Sequence, residues 1–181
     1  MSEFLRKVVH MVFGLLITLL IWQIPKVISL MIIGVGLLVG LVFIDLAMRG
    51  FQIPIITHLI NGLERPGVFP GKGAFFFGIS ALVTLILFPA PVAAIGVFTL
   101  SVLDGIATII GLRYGRIRII NHKSIEGTCG AIAVTFVMLL LLMNPIQAGI
   151  VAIVAGIVEL ASPVDDNLII PIAVATIVTY I

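Results

Sequence analysis

The chain has 181 residues, of which 61% are hydrophobic and only 10% are charged, with a formal net charge of +2 and a mean hydropathy of +1.36. A soluble domain of this length could not keep so much apolar surface from aggregating, so a soluble protein is excluded and no nucleic-acid partner is expected. The apolar runs lack strand alternation and therefore predict membrane-spanning helices, which satisfy their own backbone hydrogen bonds in lipid. The single cysteine, Cys129, excludes an internal disulfide.

Seven helical spans are predicted from the apolar runs and the polar breaks between them. They are Phe4–Ile24, Val27–Met48, Gly73–Phe88, Pro91–Leu112, Thr128–Met143, Pro145–Leu160 and Leu168–Ile181. Prolines at positions 25, 89, 91, 145 and 163 fall between these runs or at their ends, where proline starts or stops helices. The sequence thus predicts one all-α polytopic transmembrane domain over residues 1–181.

The first span begins with a stripe of basic and imidazole side chains. Arg6 and His10 are four residues apart and Lys7 is three residues before His10, so the three share one helix face. Arg6 and Lys7 are explained equally well as topology anchors that reach lipid phosphates. His10 lies one turn inside an apolar helix and needs a partner, such as a phosphate or a carboxylate from a neighbouring helix.

The second span ends in Asp45 and Arg49, an i, i+4 pair that mutual neutralisation explains. Prolines and polar residues interrupt the stretch that follows, and its apolar front half, Phe51–Leu63, has the length of a segment in the interface or re-entering from it. Such a segment could hold the head of a lipid substrate. Lys72, flanked by glycines, lacks the Walker spacing and is interpreted as a lone lysine that faces a phosphate.

Asp104, within the fourth span, is the most informative residue. A carboxylate in an apolar transmembrane helix costs about 3 kcal/mol on insertion scales and therefore indicates function. Ala107, Gly111 and Gly115 continue the same face, and small residues at this spacing explain tight helix packing but not the carboxylate. Phosphate-binding features nearby favour a metal ligand or a base over an ion pathway or a proton relay.

The turn after the fourth span has the features of a phosphate site. It combines glycines for close approach, fixed cations and the start of a helix whose free N–H groups can hold phosphate oxygens. Ser124 or Thr128 could simply cap the fifth helix. Helix capping does not explain why Lys123, Glu126 and Gly127 lie next to these residues, so we expect a nucleotide phosphate at this turn.

Three oxygen-bearing side chains, Asp165, Asp166 and Asn167, precede the seventh span, and Glu159 ends the sixth. One of these three side chains is expected to cap the last helix. A cap needs only one such side chain, so the other two require a different explanation. Carboxylates near nucleotide phosphates usually hold Mg²⁺, which needs only one or two protein ligands. The candidate metal ligands are therefore Asp104, Glu159, Asp165 and Asp166.

The distribution of cations predicts the orientation of the chain. Lys26 is the one cation in the breaks of the side opposite the N-terminus. The others lie on the N-terminal side: Arg6, Lys7, Arg49, Arg65, Lys72, Arg113, Arg116, Arg118 and Lys123. The positive-inside rule predicts a cytoplasmic N-terminus, and the candidate carboxylates lie at the same helix ends. The site is therefore predicted on the cytoplasmic face, where a soluble cosubstrate can meet a lipid.

These residues form an ordered pattern over nearly the whole chain. It reads Arg6-Lys7-x-x-His10-x-x-x-Gly14, Asp104-x-x-Ala107-x-x-x-Gly111-x-x-x-Gly115, Lys123-Ser124-x-Glu126-Gly127-Thr128, Glu159, and Asp166-Asn167-Leu168-x-x-Pro171. The pattern resembles the CTP-dependent lipid kinase family, which includes dolichol kinase, phytol kinase and a diacylglycerol kinase. The resemblance implies transfer of the CTP γ-phosphate to a membrane alcohol, giving CDP and a lipid monophosphate.

The resemblance also implies roles for individual residues. Lys123 and the start of the fifth helix, together with Arg6, Lys7 and Arg116, would neutralise phosphate charge. Asp104, with Asp166 or Glu126, would hold Mg²⁺ or take the proton of the lipid hydroxyl. His10 joins these as a catalytic candidate. Further nucleotide-binding candidates are Lys72, Gly111, Gly115, Ser124, Gly127, Thr128 and Asn167, and Glu64 extends the pattern.

Several alternatives stay open. An isoprenoid alcohol such as a polyprenol, dolichol, phytol or geranylgeraniol is favoured over diacylglycerol, although apolar pockets separate chain lengths by only about 1–3 kcal/mol. Phosphatidate cytidylyltransferases share the central motif, but their Pro-Gly-His-Gly-Gly-x-x-Asp-Arg pattern is absent here. A small anion or lipid transporter predicts charges at both faces. Gly34, Gly36 and Gly40 could pack within the bundle or between subunits of a homo-oligomer.

Overall fold

The computed structural model describes residues 3–51, 71–119, 123–162 and 165–181. Seven helices lie in these ranges: α1 Glu3–Gln23, α2 Lys26–Met48, α3 Lys72–Leu87, α4 Ala90–Tyr114, α5 Ile125–Leu139, α6 Pro145–Ala161 and α7 Asp166–Tyr180. In this described part of the chain, extended pairing is limited to one isolated bridge between Arg118 and Ser124. The all-helical prediction is confirmed for these residues, whereas Glu64 and all of the predicted Phe51–Leu63 segment after Phe51 lie outside them.

The predicted boundaries of the fifth span were wrong at both ends. α5 begins at Ile125 instead of Thr128, because the Ser124 hydroxyl accepts the N–H of Gly127 at 3.1 Å and caps the helix there. It ends at Leu139, and the apolar residues up to Met143 form turns instead. The residues after Leu139 are still apolar although the helix has ended, so a boundary placed by composition alone comes too late.

Three helices are long and apolar enough to cross a membrane: α1, α2 and α4, with 21, 23 and 25 residues. The other four apolar helices have 16, 15, 17 and 15 residues. At 1.5 Å per residue, a helix of 15 residues is about 22 Å long, less than the ~30 Å thickness of a hydrocarbon core. The structure is therefore that of a helical membrane protein with three candidate spans, and seven spans stay a prediction.

α4 is the centre of the bundle. In the 18-residue apolar stretch of each long helix, 72% of the residues of α4 are buried, compared with 17% for α1 and 11% for α2. It packs against α1, α5 and α7, and also contacts α3 and α6. Glycine permits the closest of these approaches, since a Cβ added at Gly96 would come within 2.5 Å of the Pro171 carbonyl oxygen on α7. A residue on α4 is thus surrounded by helices from both ends of the sequence.

The start of α7 is held by α3. Pro171, inside α7, has no N–H to donate to the carbonyl of Asn167 four residues before it, so the first turn of α7 lacks one helical hydrogen bond. The Ser80 hydroxyl on α3 donates to the carbonyl of Leu168 at 2.8 Å. This bond fixes the first turn of α7 against α3, and the acidic residues before Leu168 are positioned with it.

α2 lies at the edge of the bundle, against α3 and lightly against α1. A Cβ added at Gly34, Gly36 or Gly40 would meet nothing within 4 Å among the described residues. The described helices therefore do not pack against these three glycines, and packing between subunits stays a prediction. Asp45 and Arg49 form the expected i, i+4 pair at 2.8 Å, and both side chains are more than half exposed.

Candidate active site

Most of the predicted site residues meet at one end of the bundle, which we call the polar end. Its members come from the first turns of α1, the second half of α4, the turn before α5, the end of α6 and the start of α7. Their charged side chains form two groups, Lys7 with Asp104, and Lys123 with Glu159 and Asp166. α4, which carries Asp104, packs against α1, α5 and α7, so both groups lie around the same part of α4.

The first group joins residues that are 97 positions apart in the chain. The Lys7 ammonium donates to both carboxylate oxygens of Asp104, at 2.7 and 2.6 Å, and the Asp104 side chain is only 4% exposed. A buried charge of this kind persists only when it is paired. The insertion cost that singled out Asp104 in the sequence is thus offset by Lys7.

His10 lies beside this pair, one turn along α1. Its Nε2 is 3.7 Å from Asp104 Oδ2, which is the kind of carboxylate neighbour that the sequence predicted but too far for a hydrogen bond. Its ring packs edge-on against Phe77 of α3, with ring centroids 5.0 Å apart. Nε2 is buried and has no hydrogen-bond partner among the described residues.

The second group is built around Lys123. Its ammonium donates to Asp166 Oδ2 at 2.8 Å and to the backbone carbonyl of Glu159, and it lies 3.1 Å from Glu159 Oε1. Burial alone would lower the pKa of Lys123, but the charges of Asp166 and Glu159 and the hydrogen bonds to them outweigh burial and hold that pKa above its usual value. Lys123 is therefore a permanent cation shared by two carboxylates.

Thr128 completes the second group. Its hydroxyl donates to Glu159 Oε2 at 2.8 Å, so α5 and α6 are joined beside Lys123. The sequence left open whether Ser124 or Thr128 caps α5, and the structure assigns the cap to Ser124. Thr128 instead orients a buried carboxylate, a role that neither spacing nor residue type had indicated.

The acidic cluster before α7 has divided roles. Asp165 is the N-cap and accepts the backbone N–H of Asn167 at 3.3 Å, which confirms that one of the three residues caps the helix. Asp166 accepts the same N–H at 3.0 Å and also binds Lys123. The side-chain amide of Asn167 donates to Asp165 at 3.0 Å, while its Oδ1 is buried without a partner in the described part of the chain.

Two predicted cations lie at the margin of the polar end. Among the described residues, the carboxylate that pairs with Arg6 is that of Glu3, one turn before it on α1. Lys72 lies 3.8 Å from Asp165 and 5.5 Å from the ring of Phe76, with nearly half of its side chain exposed. Both cations neutralise nearby carboxylates in this structure, and their contact with phosphate stays a prediction.

A cleft of about 420 Å³ opens where α4 ends. Arg113, Tyr114, Gly115, Arg116 and Glu126 line it. The Arg113 guanidinium lies 5.6 Å from the centre of the Tyr114 ring. The sequence analysis used Arg113 only for topology and did not single out Tyr114, whose place in the cleft is visible only in the structure.

Glu126 has a different position from the other candidate carboxylates. It is partly exposed, and its carboxylate accepts the N–H of Ile117 at 3.2 Å. The bond holds the turn between α4 and α5 and keeps Glu126 on the cleft instead of beside Asp104. The structure does not bring Glu126 into either lysine group.

The glycines of the pattern bring α4 and α5 into contact. A Cβ added at Gly127 would lie 2.6 Å from the carbonyl oxygen of Ala107, and one at Gly111 would lie 2.9 Å from Ser124 Oγ. At Gly115 the added atom would lie 2.7 Å from the same hydroxyl. Tight helix packing explains all three glycines, and their contact with a phosphate stays a prediction.

Among the described residues, no group of three or more His, Cys, Asp or Glu side chains is arranged to hold a metal ion. The candidate ligands are divided instead, with Asp104 on Lys7 and both Glu159 and Asp166 on Lys123. Because Mg²⁺ keeps several waters and uses one or two carboxylates, this division is compatible with a Mg²⁺ site. Glu159 and Asp166 fit it best, since their oxygens already converge on one cationic atom.

Comparison with known proteins gives one full-length and one partial relative. The chain is 34% identical over 188 residues to the uncharacterized protein MJ1137 of Methanocaldococcus jannaschii, an alignment that covers 99% of this chain and 94% of that protein. It is 35% identical over 107 residues to a dolichol kinase of Saccharomyces cerevisiae, which covers 52% of this chain and 20% of the kinase. No model of a protein family matches the chain, and no solved structure matches it.

Proposed function

This chain belongs to the same protein family as the uncharacterized protein MJ1137 of Methanocaldococcus jannaschii, and we propose that it is a membrane-embedded lipid kinase. The proposed reaction transfers the γ-phosphate of CTP to the hydroxyl of an isoprenoid alcohol and yields CDP and a lipid monophosphate. The observation that carries the proposal is the meeting of two lysine–carboxylate groups at one end of an apolar bundle. The partial match to a dolichol kinase supports a lipid alcohol as the acceptor.

Phosphoryl transfer requires mainly positioning and neutralisation of charge on the phosphates. Lys123 and the cleft residues Arg113 and Arg116 supply positive charge on one side of the polar end. The N–H groups of Ile125, Gly127 and Thr128 at the start of α5 already have oxygen partners within the chain, so no phosphate is assigned to them. The exposed ring of Tyr114 offers a surface on which a base can stack. We therefore place the nucleotide on the α4–α5 side, with its phosphates toward Lys123.

Asp104 is the proposed base. As the acceptor oxygen forms its bond to the γ-phosphorus and the bond from that phosphorus to the CDP oxygen breaks, the hydroxyl proton passes to Asp104. Lys7 keeps the carboxylate ionised and oriented before transfer, through its two hydrogen bonds. Glu159 and Asp166 would hold Mg²⁺, which would neutralise charge on the β- and γ-phosphates.

The proposal includes a membrane orientation. With the N-terminus in the cytoplasm, the polar end faces the compartment that contains soluble nucleotides. α3, α5, α6 and α7 then complete seven spans, since short helices can cross where the bilayer thins around them. The alcohol stays in the bilayer, and only its head group needs to reach Asp104.

The direct test uses purified protein in detergent with γ-labelled CTP, Mg²⁺ and a panel of polyprenol, phytol, geranylgeraniol and diacylglycerol. We expect label in a lipid monophosphate and release of CDP, lost in Asp104→Asn and retained in Asp45→Asn, whose carboxylate forms an exposed pair with Arg49 outside both lysine groups. Labelled ATP and GTP, in parallel, test the choice of nucleotide. Release of pyrophosphate from CTP and phosphatidate would indicate a cytidylyltransferase, and the absence of turnover with every lipid would overturn the kinase.

A further inference from the structure

Three polar atoms of the polar end and its margin are buried without a hydrogen-bond partner among the described residues: Arg6 Nε, His10 Nε2 and Asn167 Oδ1. Asn167 is 8% exposed, and the His10 side chain is 16% exposed. An unpaired buried polar atom costs about 1–3 kcal/mol, and folded proteins leave few of them. The Arg6 guanidinium already pairs with Glu3 through another nitrogen, whereas His10 and Asn167 have no part in the nucleotide and proton-transfer roles proposed above and require a separate explanation.

α3 places the two residues on one surface. The His10 ring packs against Phe77, and a Cβ added at Gly73 would lie 3.9 Å from the amide nitrogen of Asn167. Gly73 and Phe77 are four residues apart and therefore share a helix face. His10 and Asn167 thus border the same stretch of α3, and Asp104 is 3.7 Å from His10.

The chemistry of these atoms selects the kind of group that they bind. The side-chain oxygen of Asn167 can only accept a hydrogen bond, and the nitrogen of its amide already donates to Asp165. An ionised phosphate has no hydrogen to give to that oxygen. A hydroxyl can donate to Asn167 and accept from His10, because a neutral imidazole nitrogen can carry the proton. The pair therefore suits an alcohol and disfavours a phosphate.

The surroundings also favour a lipid on this side. α1 packs mainly on α4, meets α3 at the Phe77 ring, and exposes the large apolar side chains of Phe4 and Phe13. Because Phe13 is three residues from His10, an apolar chain against Phe13 has its head group near His10. The cations Arg113 and Arg116 lie instead on the α4–α5 side.

We propose that His10 and Asn167 bind the hydroxyl of the acceptor alcohol, which enters between α1 and α3, on the opposite side of Asp104 from the nucleotide. This inference rests on the proposed lipid kinase function and adds to it the position of the acceptor. The hydroxyl donates to Asn167 Oδ1 and accepts from His10 Nε2 before transfer. Rotation about its C–O bond then turns the proton toward Asp104.

The kinetic test compares His10→Leu and Asn167→Leu in nanodiscs, with KM measured separately for the alcohol and for CTP. Each change should raise KM for the alcohol roughly five- to tenfold, because one hydrogen bond to the alcohol is lost. KM for CTP should stay within about twofold of the wild-type value. His10→Gln, which keeps a polar group, should recover part of the loss. Gln147→Leu, which removes an amide that binds the Ile181 carbonyl at the other end of the bundle, is the matched control and should change neither constant.

A second measurement does not depend on turnover or on the folding of variants. A long-chain alcohol with a diazirine next to its hydroxyl carbon is cross-linked to the wild-type protein without nucleotide, and the label is mapped by mass spectrometry. We expect label on the α1 and α3 peptides around His10 and Phe77, competed by the plain alcohol but not by the corresponding alkane. Label on the cleft around Arg116, or a rise in KM for CTP alone, would overturn the inference and leave the kinase standing. Label at Phe77 without phosphorylation of any alcohol would overturn the kinase and leave the alcohol site.

Discussion

The two lysines of the polar end have different surroundings. Among the described residues, Lys7 in α1 meets one carboxylate, Asp104, and their charges cancel within a buried pair. Lys123, in a turn, meets two carboxylates, Glu159 and Asp166, so that its group carries an excess of negative charge. A balanced buried pair is held in place by the cost of separating its charges, whereas a carboxylate in excess can bind another cation. We infer that the first group orients the base and that the second exchanges partners when the nucleotide binds.

The largest effect is expected for Asp104→Asn. It removes the base and leaves Lys7 buried without a partner, so activity should fall roughly 1,000-fold and stability should fall by about 3–5 kcal/mol. Labelled lipid phosphate and thermal unfolding in detergent measure the two effects. The double variant Lys7→Met with Asp104→Leu removes both charges and should recover stability but no activity. Recovery of activity in the double variant would show that the pair is structural.

Lys123→Met tests the second group. Loss of the cation leaves Glu159 and Asp166 to repel each other and removes charge from the proposed phosphate site, so activity should fall about 100-fold with a raised KM for CTP. Lys26→Met is the control, because Lys26 caps the other end of α3 through the Phe88 carbonyl at 2.9 Å. A change in KM for the alcohol alone would contradict the assignment of Lys123 to the nucleotide.

Gly127→Ala tests whether close packing of α4 and α5 positions the second group. The added methyl would meet the Ala107 carbonyl, and overpacking of this kind costs about 1–3 kcal/mol. Gly36→Ala, where nothing lies within 4 Å among the described residues, should be neutral or slightly stabilising. Thermal unfolding of both variants checks the difference, and equal effects would mean that the glycine at 127 is not needed for packing.

The smallest effect is expected for Thr128→Val, which removes the hydroxyl that binds Glu159. We expect a loss of about 1 kcal/mol in stability and roughly fivefold in activity. Thr135→Val on the same helix is the matched control, because its buried hydroxyl has no partner among the described residues and its removal should cost nothing. If the two variants behave alike, the Thr128–Glu159 bond does not organise the second group.

The helices were largely predictable and the pairings were not. Low charge and apolar runs predicted the seven helices that the structure describes, and the cost of a buried carboxylate marked Asp104. No pattern connected Asp104 to Lys7, because their contact depends on how α1 crosses α4. The end of α5 was wrong because hydropathy does not distinguish a helix from an apolar turn.

Local physics acts over a few residues, and the sequence by itself therefore determined the local features of this protein. These are the apolar helices, the presence of a capping residue before α5 and before α7, and the cost of burying Asp104 in an apolar helix. The tertiary structure alone decided which residue forms each cap and which cation meets which carboxylate, and it left His10 Nε2 and Asn167 Oδ1 without a hydrogen-bond partner among the described residues. Those outcomes depend on the angles and distances at which helices far apart in the sequence pack. Any of several cations could pair with a given carboxylate, and packing selects the one that comes within hydrogen-bond distance.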